Sequence, residues 1–326
     1  MRFPGVLALV WAVTSAVPAA ALDSGSMDVR WNTGAPDCHL TSAPPLQVHR
    51  YNEQTYILRE SLCVSRRAPF MYLLIGSKRA LLIDTGAVTD AAVVPLAQTV
   101  LSLLPGSGPT KLPLLVVHTH GHSDHRSGDA QFRSLPNVQI VGTDLDQVKQ
   151  YFGFKDWPNG SAAVNLGDSQ VDVLPTPGHD KAEVSYYDRR TGLFFSGDFF
   201  QPGRLLIADR KADLASAQRM ADFVRFHSIA YVLGGHIDLD ADGHGFGWLG
   251  SHYHPNEHVL QMPYDALTAL PVIVGQFNGF YTRYGMFVML NYNLVLGAII
   301  LGLAILLAVV VLAIRHLIIR RRENAV

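Results

Sequence analysis

Leu114-Leu115-Val116-Val117-His118-Thr119-His120-Gly121-His122-Ser123-Asp124-His125 is the stretch on which the reading of this chain turns. Its short apolar opening reads as a buried strand. Five side chains able to bind a metal follow within eight residues, His118 to His125. His120 and His122 stand two apart, so in extended backbone their imidazoles project to one side. Asp124 and His125 come where the chain must turn, which lets them reach a second point nearby. Imidazole nitrogen together with carboxylate oxygen suits zinc and similar divalent transition metals. An exposed polar loop is the alternative; alternating imidazoles with an embedded acid argue against it.

The pattern of an apolar run ending in a polar group recurs along the chain. Leu81-Leu82-Ile83 leads to Asp84-Thr85-Gly86, Phe194-Phe195-Ser196-Gly197 to Asp198, and Leu233-Gly234-Gly235 to His236. Pro177-Gly178-His179 follows the run Val171–Leu174. Groups at the downstream ends of strands converge on one rim of an α/β sheet, where such folds bind ligands. In this order, from about Leu46 to His236, the five motifs together resemble the signature of the metallo-β-lactamase superfamily. The resemblance implies an α/β fold: an αββα sandwich of two stacked mixed sheets flanked by helices, with metals at one edge. Carried over position by position, it implies His120, His122 and His179 on one metal. Asp124, His125 and His236 would hold the other, with Asp198 bridging. Asp84 is implied as the group that orders the metal loop from behind; such groups orient the ligands. Thr119 is read as a further support. His118 lies outside the family pattern and is read as support or packing. A departure follows His179, where Asp180-Lys181-Ala182-Glu183 replaces the usual Thr and small residue.

A centre of that kind implies a hydrolase working through a metal-bound hydroxide, with Asp124 steering or relaying its proton. The implied cofactor is zinc, two ions per chain; iron is the alternative. Three-His members that hydrolyse β-lactams generally lack an acid at the place of Asp198. Thioesterase-, lactonase- and phosphodiesterase-like members carry one. The expected substrate is therefore a small-molecule ester, thioester, lactone or amide. β-Lactam hydrolysis, a mononuclear iron persulfide dioxygenase and a non-catalytic metal-binding module are the competing readings.

The rest of the chain sets the context. With 26 Lys and Arg against 27 Asp and Glu, the formal net charge is −1. No basic cluster precedes the far C-terminus, so no nucleic-acid partner is expected. The helical pattern over Asp213–His227 leaves no room for an inserted domain before His236. Residues 1–21, with Arg2, the apolar Val6–Val17 and Ala19-Ala20-Ala21, read as a secretory signal peptide, an uncleaved anchor being the alternative. Residues 22–45 form a Ser-, Pro- and Gly-rich leader. Cys38 and Cys63 are the two cysteines. In an exported chain they favour a disulfide contributing about 3 kcal/mol, against two free thiols.

Residues 46–262 read as the metallo-β-lactamase-like domain, opening with antiparallel strands. Helices are expected over Asp90–Leu104 and Asp144–Phe152. The His-rich loop 244–258 is either a wall near the metals or a packed surface loop. The aromatic residues 263–292 form a juxtamembrane segment, suited either to the membrane interface or to a last packed element. Residues 293–314 read as a transmembrane helix and 315–326 as a basic cytoplasmic tail. Leu294–Ile314 carries no charge and is followed by Arg315 and Arg320-Arg321-Arg322. By the positive-inside rule this puts the catalytic domain on the periplasmic or extracellular side.

Overall fold

The computed structural model describes residues 21–245 and 250–323. The signal-peptide reading falls on residues 1–20 and so lies outside them, Ala21 excepted. The first sheet runs β1 (Leu46–Asn52), β2 (Thr55–Glu60), β3 (Phe70–Ile75), β4 (Ala80–Ile83), β5 (Leu114–Val117), β6 (Val138–Ile140), in that spatial order. Strands β1 to β4 pair antiparallel, as short turns allow. Strands β4, β5 and β6 are parallel, and the crossover from β4 to β5 carries α1 (Leu96–Leu103). This helix is shorter than the Asp90–Leu104 expected. Asp90 caps a turn through Ala92 N (2.8 Å), and Pro95, which has no N–H to give, stands at the helix start.

The second sheet comprises β7 (Ala162–Asn165), β8 (Gln170–Pro175), β9 (Val184–Asp188), β10 (Leu193–Gly197), β12 (Tyr231–Gly234) and β13 (Gln261–Met262). Its order is β13-β12-β10-β9-β8-β7. Strand period assigns the layers. Ile57, Leu81, Ile83, Leu115 and Val117 face Val171, Val173, Tyr186, Phe195 and Leu233 between the sheets. Their sequence neighbours Leu58, Leu82, Leu114 and Val116 turn outward onto Leu96 and Val100 of α1. Phe194 and Val232 turn outward onto α4 (Arg210–Val224) and α5 (Tyr264–Gly275). The result is four layers, helix–sheet–sheet–helix. Asp209 starts α4 by accepting from Lys211 N and Ala212 N (2.9 and 3.0 Å).

Residues 263–292 are packed only in part, with Phe280, Tyr281 and Tyr292 exposed. β14 (Tyr281–Tyr284) and β15 (Phe287–Leu290) form a hairpin, and β15 pairs parallel with β11 (Arg204–Leu206). Phe277, Phe287 and Met289 are buried against the α4–α5 layer. From Tyr292 the chain continues as α6 (Tyr292–Glu323), whose apolar side chains are exposed. It is long and apolar enough to cross a membrane. At the other end, the leader lays Trp31 edge-on to Phe70 (4.9 Å between centroids), and Cys38 is disulfide-bonded to Cys63.

Candidate metal centre

Each candidate ligand sits at the downstream end of a strand or on the first turn beyond it. His118, Thr119 and His120 follow β5. His122 stands at the start of α2 (Ser123–Arg126), which carries Asp124 and His125. His179 lies in the loop after β8, Asp198 follows β10 and His236 follows β12. Because β8, β10 and β12 run in one direction, His179, Asp198 and His236 come from distant parts of the sequence to meet the four candidates that follow β5.

Their nitrogens and oxygens converge in two groups. His122 Nδ1 lies 3.0 Å from His120 Nε2 and 3.0 Å from His179 Nε2. One imidazole proton cannot satisfy both contacts. Metal–nitrogen bonds of about 2.0–2.1 Å in a tetrahedral site set neighbouring nitrogens roughly 3.3 Å apart, so this trio fits a cation. In the second group, His125 Nε2 and His236 Nε2 are 3.2 Å apart, and Asp124 Oδ2 is 3.5 Å from His236 Nε2. Asp198 stands between the two. Its Oδ1 lies 3.3 Å from His125 and 3.5 Å from His236, while Oδ2 lies 3.7 Å from His179. That Oδ1 is buried without a hydrogen bond, the condition of an acceptor built for a cation.

The outward nitrogens of four of the five rings are engaged. His125 Nδ1 donates to Asp84 Oδ2 (2.9 Å), His179 Nδ1 to the Leu206 carbonyl (2.7 Å), and His236 Nδ1 to the Arg67 carbonyl (2.7 Å). His120 Nδ1 meets Thr119 Oγ1 (3.1 Å), whose own proton goes to Asp84 Oδ2 (2.9 Å). Each of these bonds leaves the Nε2 lone pair facing inward. Asp84 also accepts from Thr119 N (2.8 Å), and it does so from a left-handed backbone (φ 64°) that Asp tolerates better than most residues. His118 turns away from the cluster. Its Nε2 donates to Asp129 Oδ1 (2.8 Å), which also accepts from Thr85 Oγ1 (2.9 Å).

Charge follows this geometry. Burial, with neighbouring imidazoles, holds His120 well below the usual histidine range; burial also lowers His179. Both imidazoles are thus neutral near pH 7. Burial also opposes charge on His125, yet Asp198 and Asp84 outweigh it and raise that imidazole. Burial opposes ionisation of Asp198, and His236 and His125 overcome it, so the carboxylate stays ionised. Asp124 is likewise ionised against its burial, through His236 and His125.

Two residues enter that sequence reasoning missed. Arg67 Nε donates to Asp124 Oδ2 (2.7 Å) with its side chain partly exposed. Glu183, part of the departure after His179, is fully buried 3.9 Å from His120 Nδ1 and accepts from Phe199 N (2.8 Å). Burial, then Asp198, raises its carboxyl well above the usual range, so it stays protonated beside the cluster. In sequence Arg67 was one of a basic pair in a turn and carried no periodic signal. Glu183 was visible only as an acid where the family pattern has none. Gly235 packs closest: a Cβ there would lie 2.5 Å from Asp198 Oδ1 and 2.8 Å from His125 Cε1.

A cavity of about 300 Å³ opens onto His122 and His179. Arg67, Leu206 and Ala208 line it, and Tyr292 and Asn293 of α6 close one side. The histidines of the 250–258 loop stay out of the cluster. His252 Nε2 donates to the Pro36 carbonyl (3.2 Å), and His254 bonds Glu257, itself paired with Arg59 at 2.6 and 2.7 Å. His254 does line a small cleft beside His236 and Arg67.

A family model described as the metallo-beta-lactamase superfamily matches residues 64–245. An acyl-coenzyme A thioesterase, MBLAC2 of Gallus gallus, is 25% identical over 201 residues, covering 52% of this chain and 72% of the relative. A hydroxyacylglutathione hydrolase of Mesorhizobium japonicum is 28% identical over 112 residues, 34% of this chain and 42% of that protein. Among solved structures, a metallo-beta-lactamase from Pontibacter korlensis aligns with a TM-score of 0.48 at 17% identity, over 71% of this chain and all of that one.

Proposed function

Because this chain belongs to the metallo-β-lactamase superfamily, we propose that it is a binuclear, zinc-dependent hydrolase of thioesters, anchored in a membrane by α6. The observation that carries the proposal is Asp198, ionised and set between two ligand groups, one of three histidines and one of Asp124, His125 and His236. Two divalent cations held there would make water acidic enough to ionise near neutral pH and would polarise a carbonyl. Every other part of the chemistry falls to the chain itself. Water adds to the acyl carbon, the carbon–sulfur bond breaks, and the products are a carboxylic acid and a thiol. Asp124, ionised and bonded to the cavity-lining Arg67, is the base that would take an incoming water's proton. Arg67 holds Asp124 in place and presents positive charge to the substrate side. Thioesters are favoured over β-lactams because an acid occupies position 198, and the two relatives named above are a thioesterase and a hydroxyacylglutathione hydrolase.

The arginines at the C-terminal end of α6, Arg315 and Arg320 to Arg322, support an orientation with the catalytic domain outside and the C-terminus in the cytoplasm. The test is elemental analysis of the full-length chain in detergent, followed by thioester assays. About two zinc per chain are expected. Asp124→Ala is expected to lower kcat at least about a hundredfold with the circular dichroism spectrum unchanged. One iron per chain, or an active Asp124→Ala variant, refutes the reading.

A further inference from the structure

We propose that the substrate of this site is an amphiphile drawn from the lipid bilayer. Its labile bond enters the cavity while its hydrocarbon chain stays among the lipids along α6. This rests on the hydrolase reading above and adds the substrate class to it.

The cavity and the membrane-spanning helix share a wall. Tyr292 and Asn293, the first two residues of α6, line the same space as His122 and His179. The helix start is held there by hydrogen bonds. Asn291 Nδ2 donates to the Ala208 carbonyl (3.1 Å), Ile207 N to the Leu290 carbonyl (2.9 Å), and Leu294 N to Asn291 Oδ1 (3.1 Å). Leu206, one residue before Ile207, receives the proton of His179 Nδ1.

Helix length suggests the depth. The uncharged run Leu294–Ile314 rises about 1.5 Å per residue and so spans roughly 31 Å, close to the hydrocarbon thickness of about 30 Å. With that run placed across the hydrocarbon, Leu294 lies at its boundary, and Tyr292 and Asn293 roughly 3 Å beyond it, at headgroup level. Exposed aromatics surround that level. Phe280, whose carbonyl accepts from Asn291 N, is 44% exposed; Tyr281, opposite Leu290, 49%; and Tyr292, 55%. Aromatic rings of this kind favour the membrane interface.

The cavity lining is mixed. Arg67, His122, His179 and Asn293 supply polar groups, and Leu206, Ala208 and the Tyr292 ring of the helix supply its apolar side. At about 300 Å³ it is at the small end of pockets that enclose a small ligand. A long acyl chain therefore lies outside it, and the surface available on the apolar side is α6 and lipid.

The test uses the full chain in phosphatidylcholine vesicles and a palmityl thioether probe carrying a photoactivatable diazirine next to sulfur. The thioether is not hydrolysed, so labelling is read by mass spectrometry without turnover. Labelling is expected within residues 206–208 or 292–295, falling at least tenfold with excess unlabelled palmityl thioether and not with butyl thioether. Labelling spread along the whole of α6, or equal competition by the butyl compound, overturns the proposal. Hydrolysis of butyryl and palmitoyl thioesters at equal kcat/KM also overturns it while upholding the hydrolase. Site-confined labelling without hydrolysis of either upholds the membrane substrate and sinks the hydrolase instead.

Discussion

Replacing Asp84 by Asn tests whether the cluster is built to hold metal at all. The change is nearly isosteric, and Asn tolerates the left-handed backbone of position 84 (φ 64°). Its side-chain oxygen still accepts from Thr119 N. The other oxygen, however, becomes an amide that donates toward His125 Nδ1–H and Thr119 Oγ1–H, two groups that also donate. The Thr119 hydroxyl can rotate. His125 can comply only by moving its proton to Nε2, the atom that faces His236 and Asp198. The alternative is an unsatisfied buried donor, costing about 1–3 kcal/mol. In the first case the second ligand group loses a nitrogen, in the second it loses the bond that orients the ring, and removing such a support lowers metal affinity about 10–100-fold. That corresponds to roughly 1.4–2.7 kcal/mol. Zinc titration calorimetry of the metal-stripped chain in detergent measures it: two sites in the parent, and one weakened by this factor in Asp84→Asn. If the variant keeps a folded circular dichroism spectrum and binds two zinc ions at parental affinity, the argument that this carboxylate sets the His125 tautomer is wrong.

Three further outcomes follow. Arg59→Met strands the buried Glu257, whose ionisation burial opposes and His254 and Arg59 sustain. Thermal unfolding should show a loss of about 3–5 kcal/mol, most of it recovered in Arg59→Met with Glu257→Gln. Burial raises Glu60 to about 7, partly offset by the amides of Val88 and Ala87. The folded metal-free chain then binds this proton more tightly than the unfolded one. The contribution is complete below pH 4.5 and is lost as pH rises through about 7. Its ceiling is about 3 kcal/mol, and Glu60→Gln should flatten that slope in pH-dependent melts. Gly235→Ala inserts a methyl against Asp198 and His125. It should cost about 1–3 kcal/mol of stability and lower the zinc count from two, read by elemental analysis.

The convergence of the seven ligand candidates was legible because metal chemistry restricts the residue types, and strand ends restrict where they stand. His120, His122 and Asp198 each announced themselves beside an apolar run. Arg67 and Glu183 did not, since one side chain from a turn carries neither period nor motif; only the fold brings them to Asp124 and His120. The start of α1 was misread because the apolar spacing upstream of Pro95 continues through a turn. Residues 263–292 were ambiguous for a physical reason: a membrane interface and a packed edge both select aromatic residues. The structure divides them, burying Phe277 and Phe287 and leaving Phe280 and Tyr281 exposed.

That division explains why a third, three-stranded sheet is present. Strand β11 leaves the metal edge just after Asp198 and lends the Leu206 carbonyl to His179. It then pairs through its whole length with β15, the strand that leads into α6. A hydrogen bond from Ile207 to Leu290 joins the two just where the cavity begins. Had α6 been joined by a flexible linker, the depth of the cavity relative to a bilayer would vary with every linker conformation. Here the ligand loop, the cavity wall and the helix start belong to one hydrogen-bonded unit. The orientation of His179 and the position of the cavity wall that α6 contributes are consequently set by the same few residues.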